Sequence, residues 1–297
     1  MSDEIWAVIV TYNRRALLEE CLKSVLAQTR PPDRILVVDN ASTDGTDTML
    51  AERFPEVTAL RLAENEGVAG GIHEGVKIGY ESGADWFFLL DDDTIPTPTA
   101  LEYLLEPLGR LGALPEPVML CSKVLWTDGS IHQMNTPWPR WDPESLAIAA
   151  CERELLPLRA ASYPSLLLHR RAVERHGLPV KEMFIWGDDI EYTARILRHE
   201  AGYLAPRSIS HHKTATNYHP ATTTSVRFYY DVRNKLWMIR GDAWGRTDKF
   251  WLAVLTLHTT SQYLALNRFR PPNVGAVLRG LRDGLFRSAD EASPGAG

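Results

Sequence analysis

Cysteine is scarce in this chain: Cys21, Cys121 and Cys151 are the three among 297 residues. The number is odd and the spacing fits no metal-ligand pattern. The three therefore read as reduced thiols of a cytosolic protein rather than a disulfide framework or a cysteine metal site. Long apolar runs are also missing. Nothing reaches the ~18 uninterrupted apolar residues that a bilayer-spanning helix needs. The nearest stretch, residues 250–269, is broken by His258, Thr259, Thr260, Ser261, Gln262 and Asn267, and it reads as a buried or interfacial helix. No leader is expected, because MSDEIWAVIV starts acidic and runs straight into a strand. A basic excess is absent as well; the net charge of −6 argues against nucleic-acid binding, which wants a positive face. The glycine-rich NEGVAGG lacks G-x-G-x-x-G spacing and does not follow the first strand, which disfavours a dinucleotide-binding oxidoreductase.

What is present describes a globular α/β protein. Hydrophobic residues make up 44% and charged residues 24%, enough for one large domain or two unequal ones. Strand-like IWAVIV, ILVVD, VTALRL and WFFLL alternate with stretches of helical spacing, such as RALLEECLKSVLAQ at 15–28. That alternation predicts βαβ units and a mainly parallel sheet. Ser42 or Thr43 is placed near the cap of a helix over 43–53. Residues 126–145, with Trp126, Trp138 and Trp141, read as one long loop, and from Val226 the pattern is helical, with Pro271-Pro272 separating two helices.

The most informative stretch is WFFLLDDDT, residues 86–94. Five apolar residues suit a strand buried on both faces. Asp91, Asp92 and Asp93 cannot share a dry core without partners, so they belong where the strand leaves the sheet. Open α/β sheets bind ligands at that edge. Alternation along an extended chain turns Asp91 and Asp93 the same way, a pair able to hold a hard divalent cation against a phosphate. Taken alone, DDD reads equally as a solvated acidic turn.

Five stretches in order, VIVTYNR, VVDNASTDGT, NEGVAGGIHEG, LLDDDT and WGDDIEYTAR, resemble the inverting nucleotide-sugar glycosyltransferases of family 2. The resemblance covers about residues 5–215. NEGVAGG, FIWGDDIEY and the later YYDVRNK are most similar to the galactofuranosyl- and rhamnosyltransferase branch. It implies a GT-A α/β fold with a mainly parallel central sheet, followed by a helical C-terminal extension. The expected divisions are a catalytic domain over 1–222, a helical extension over 223–287 and a disordered tail over 288–297.

The resemblance also implies roles. Asp91 and Asp93 would bind Mn²⁺ or Mg²⁺ as a DxD motif, with His212, or its neighbour His211, completing the site. Thr11, Tyr12, Asn13, Arg14, Asp39, Asn65, Gly67, Gly70, Gly71 and Asp92 would contact the donor, the glycines by letting backbone approach closely. Asp189 would be the general base, with Asp188 and Glu191 orienting loop and acceptor; three neighbouring acids can raise one another's pKa. An acidic run also simply favours a helix N-terminus. Trp186, Trp138 and Trp141 offer aromatic faces for an acceptor sugar, although most Trp residues pack in cores. His132 reads as a surface residue.

The implied partners are a nucleotide-diphosphate sugar, UDP-galactofuranose first and dTDP-rhamnose second, and a glycan or polyprenyl-diphosphate-linked glycan acceptor. Between Arg227 and Arg287 eleven Lys/Arg stand against four Asp/Glu. With Phe250, Trp251, Leu255, Tyr263, Leu264 and Phe269, this basic portion fits a peripheral helix on the inner face of a plasma membrane. Burial against the body, or in a homo-oligomer, is the other expectation. A nucleotidyltransferase would carry a glycine-rich, basic N-terminal loop, whereas this first strand runs into TYNRR. A non-catalytic sugar-nucleotide binder would not need the acid set.

Overall fold

The computed structural model describes residues 3–217 and 222–288. The first half follows the strand–helix alternation: β1 (Ile5–Thr11), α1 (Arg15–Leu26), β2 (Arg34–Asp39), α2 (Thr46–Arg53), β3 (Thr58–Arg61), α3 (Gly67–Glu81) and β4 (Trp86–Asp91). Then come β5 (Thr94–Pro96), α4 (Ala100–Leu105), β6 (Pro117–Leu125), β7 (Trp138–Pro139), α5 (Glu144–Cys151), β8 (Leu156–Ala160), β9 (Leu166–His169), α6 (Arg170–His176), α7 (Asp188–Leu197) and β10 (Ala201–His212). Three helices follow: α8 (Ser225–Arg240), α9 (Arg246–Leu266) and α10 (Pro271–Phe286).

The strands form one sheet in the order β3-β2-β1-β4-β9-β6-β10-β8-β7, with β5 paired to β10. β3, β2, β1 and β4 are mutually parallel, as are β6 and β10, while β9 runs antiparallel between β4 and β6. β5 and β8 also pair antiparallel with β10, and β7 with β8, so the sheet is mixed rather than mainly parallel: only the four-strand β3-β2-β1-β4 half and the β6–β10 pair are parallel. Helices cover both faces of its central strands. Ala7, Ile9, Phe88 and Leu90 point into one core with α1, whereas Val8, Val10, Phe87 and Leu89 point into the other with α3. Double-sided burial explains why these strands read as continuous apolar runs.

Because β1, β2 and β4 are parallel, Thr11, Asp39 and Asp91 emerge along one edge. There α3 lies very close to the sheet: a Cβ on Gly71 would stand 2.4 Å from Val10 Cγ1. On the C-terminal side, Trp237, Met238, Trp244 and Leu252 pack with Met183 and Ala194 of the α/β body. Phe228 stacks on Tyr263, ring centroids 3.7 Å apart, to join α8 to α9.

Several local expectations change. The 43–53 helix begins only at Thr46, because left-handed Gly45 (φ 83°) occupies its cap position instead of Ser42 or Thr43. The 126–145 loop contains β7 and leads into α5. The short strand expected at ISHHK is the end of the twelve-residue β10. A bulge where β10 slips against β6, between Ala205 and Ile209, breaks the alternation that would have marked its full length. The boundary at 222 adjoins residues 218–221, and the tail from 289 onward lies outside the described residues.

Candidate active site

The edge formed by β1, β4 and β10 gathers the charged groups. Asp91, Asp93 and His212 offer one ligand atom each within 4.8 Å of one another. His212 Nε2 is 2.9 Å from Asp93 Oδ1 and 3.8 Å from Asp91 Oδ2. Its Nδ1 meets Asn135 Oδ1 at 2.7 Å, and Asn135 Nδ2 donates in turn to Ser162 Oγ at 2.8 Å. His132 stacks on the His212 ring at 4.7 Å. Asp92 turns the other way, accepting from Thr11 Oγ1 at 2.8 Å. Arg14 reaches both acids, 3.3 Å from Asp92 Oδ1 and 2.6 Å from Asp93 Oδ2.

This cluster opens onto a cavity of about 480 Å³. Facing it across the gap is the start of α7, where Asp188 and Asp189 follow the loop 183–187. Thr11, Tyr12, Arg14, Asn65, Gly67, Trp186 and the three acids Asp91, Asp92 and Asp93 at the end of β4 also line the cavity. Asp188 is 3% exposed, and its Oδ2 has no hydrogen-bond partner. Asp189 accepts from the Ile190 amide at 2.7 Å.

Burial dominates the electrostatics. It pushes the Asp189 carboxyl up to about 7, against the helix-start amides that favour its charge. Burial also raises Asp188 well above the usual carboxylate range, helped by Asp189 beside it. Asp92 rises to about 7 through burial, opposed by Arg14, and Asp91 to about 6 through burial, opposed by His212. For Asp93 the burial penalty is outweighed by His212 and Arg14, so its carboxyl falls below the usual range. His212 is raised correspondingly: burial works against its charge, and the bond to Asp93 prevails.

Other residues singled out in the sequence lie elsewhere. Gly71 faces the sheet, against Val10, and Gly70 faces Glu66 at the start of its own helix; neither lines the cavity. Glu191 pairs with Arg195 at 2.8 Å, one helical turn on, and does not line the cavity. His211 points away from the metal-type cluster, since alternation along β10 puts it on the face opposite His212. Trp138 packs on Trp244, centroids 5.1 Å apart, and Trp141 is 64% exposed away from the cavity. Asn13 (φ 53°) shapes the turn after β1, its Oδ1 accepting from Thr43 N at 2.7 Å. Asp39 is buried, held by the Ser42 amide at 2.9 Å and Arg61 at 3.3 Å. His132, read as a surface residue, is fully buried. Asn135, Tyr163 and Phe184 also line the cavity; no spacing in their stretches marks them, since each is brought in by a loop.

Comparison with known proteins agrees with this geometry. Residues 6–118 match the family described as Glycosyl transferase family 2. The chain is 29% identical over 205 residues to the galactofuranosyltransferase GlfT1 of Mycolicibacterium smegmatis, covering 66% of each chain. It is 27% identical over 253 residues to the N-acetylglucosaminyl-diphospho-decaprenol L-rhamnosyltransferase of Mycobacterium tuberculosis, covering 75% of this chain and 80% of that one. The solved structure of GalNAc-T7 with UDP, GalNAc and Mn²⁺ superposes with a TM-score of 0.62 at 15% identity, over 97% of this chain and 55% of that one. The chain thus spans just under two thirds of the first relative's length and about half of the solved chain. The match to the family 2 glycosyltransferase model covers residues 6–118, and the fold is of the GT-A type.

Proposed function

We propose that this protein transfers a sugar, with inversion, from a nucleotide diphosphate to a hydroxyl of a glycan or lipid-linked glycan. The carrying observation is that Asp189, a carboxyl raised to about 7, faces the same cavity as the Asp91–Asp93–His212 cluster. In this reading the acceptor oxygen attacks the anomeric carbon and its proton passes to an Asp189 carboxylate oxygen. The bond from that carbon to the diphosphate oxygen breaks, and its electron pair leaves with the nucleotide. Deep burial of Asp188 beside it disfavours a second negative charge and leaves Asp189 the accessible base.

The cluster fits a divalent cation: two carboxylates and an imidazole converge, and Asp91 Oδ1 is buried without a hydrogen-bond partner. Asp91, Asp93 and His212 would hold Mn²⁺ or Mg²⁺, whose charge would stabilise the leaving diphosphate. Thr11, Tyr12 and Asn65 would meet the nucleotide side of the donor, and Trp186 the acceptor. The names of the two relatives support galactofuranose from UDP-galactofuranose first and rhamnose from dTDP-rhamnose second.

Calorimetry with UDP, dTDP and GDP, each with and without Mn²⁺, tests the reading. Metal-dependent preference for UDP leads to transfer assays with UDP-galactofuranose; preference for dTDP moves rhamnose forward. Folded protein that binds none of them refutes the proposal.

The acceptor side includes a membrane surface. Among the described residues no helix is long and apolar enough to cross a bilayer. However, α9 and its end expose Phe250, Trp251, Leu257, Leu266 and Phe269, and residues 249–282 hold no acidic side chain but Lys249, Arg268, Arg270, Arg279 and Arg282. Exposed apolar side chains on a segment whose charged groups are all cationic fit anionic headgroups. Co-sedimentation with phosphatidylglycerol vesicles that weakens in high salt is the expected result. No pelleting, with dimers in light scattering, would assign the face to a second copy.

A further inference from the structure

The loop Met183–Gly187 carries the proposed base into the cavity by an irregular path. Phe184, Trp186 and Gly187 have φ of 64°, 67° and 84°, a left-handed region that side-chain-bearing residues rarely adopt. Such a path leaves carbonyls that no helix or sheet ladder can satisfy. One side chain on α8 answers them. Asn234, fully buried, donates Nδ2 to Met183 O at 2.9 Å, Ile185 O at 3.0 Å and Trp186 O at 2.7 Å.

Its neighbour fixes which way the carboxamide faces. Arg233 Nε donates to Asn234 Oδ1 at 3.0 Å, so the NH₂ must face the loop. Arg233 Nη2 adds bonds to Glu182 O at 2.7 Å and Met183 O at 3.1 Å. The guanidinium is held over the Trp237 and Tyr230 rings, 4.1 and 4.8 Å from their centroids. From the opposite side, the Ala69 amide of α3 donates to Phe184 O at 3.2 Å. The loop is thereby gripped between α3 and α8, and Asp188 and Asp189 follow immediately.

We propose that Asn234, oriented by Arg233, is a positioning residue that sets where Asp189 stands in the cavity. The inference rests on the reading of Asp189 as the base, and it gives the RNK segment of α8 a role in turnover rather than in donor binding. Misplacing a reacting group by ~1 Å can cost about 100-fold in rate without touching the chemistry.

Asn234→Asp separates this from packing, because it keeps the size but turns the donor into an acceptor against three carbonyls. With UDP-galactofuranose as donor, kcat should fall about 100-fold while the donor KM and the calorimetric affinity for UDP–Mn²⁺ stay within about threefold. Hydrogen–deuterium exchange of amides 184–188 should rise about tenfold or more as the loop opens locally. Near-normal kcat overturns the proposal, as does unchanged exchange in these amides. If Asn234→Asp does not fold, Arg233→Met is measured, which frees the carboxamide to rotate but keeps an apolar stem under the rings. It should show the same loss in kcat over KM effects, and a wild-type kcat overturns the proposal. A wild-type protein without turnover refutes the functional reading alone; the exchange data still decide whether Asn234 holds the loop.

Discussion

The imidazole of His212 is fixed from behind by Asn135, whose Oδ1 lies 2.7 Å from Nδ1. That bond keeps the proton on Nδ1, donated to Asn135 Oδ1, and leaves Nε2 facing Asp91 and Asp93, as a ligating histidine requires. Asn135→Leu should therefore weaken Mn²⁺ binding about 10- to 100-fold, the usual cost of losing such a support, as read by electron paramagnetic resonance titration. Asp93→Ala should remove metal-dependent UDP binding altogether, since it takes away a proposed ligand and the partner of both His212 and Arg14. Unaltered Mn²⁺ affinity in both variants would place the cation elsewhere.

Asp189→Asn keeps the shape of the α7 start and removes only the proposed base. Turnover should drop about 10²- to 10⁴-fold, with UDP–Mn²⁺ affinity preserved in calorimetry. A variant that retains most of its turnover would disqualify Asp189.

The pH dependence follows from the same carboxyl. Burial holds the Asp189 carboxyl up to about 7, and as the proposed base it would work only when ionised, so kcat/KM should rise with pH through about 7 and fall away in acid. Stability runs the opposite way. Asp92 and Asp189 both stand near 7 in the folded chain, so the native state binds their protons more tightly than the unfolded chain does. Their contribution is complete below the ordinary carboxylate value of ~4 and is lost as pH rises through about 7. The Tm of metal-free protein should accordingly decline between pH 5 and 8, and a rising Tm would contradict the burial assigned to these acids.

Gly67→Ala tests the contact that sets α3 against the 183–187 loop. At φ +75° a new Cβ would stand 2.1 Å from the Phe184 carbonyl oxygen, so backbone must move on both sides. Urea unfolding should show a loss of at least ~2 kcal/mol, from strain plus overpacking, or no folded protein. A loss below ~0.5 kcal/mol, typical of an unremarkable surface site, would mean that this approach is not close in solution.

Much of this protein is written in local sequence. The apolar runs of β1, β2 and β4 and the helical period of α1 specify a parallel sheet, because each pattern can bury its faces in only one kind of layer. The DDD after Leu90 had to leave the core for the same reason, and GDDIE marked the second acidic pole. Tertiary structure decided which neighbours of these marks matter. Alternation along β10 chose His212 over His211, and close helix–sheet packing claimed Gly71. Loops distant in sequence delivered Asn135 and His132 behind the histidine. α8 reached back across about fifty residues to hold the loop before Asp188. Local periodicity reports which face of an element is buried; it carries no information about which loop will arrive there, since that depends on contacts formed only when the chain has folded.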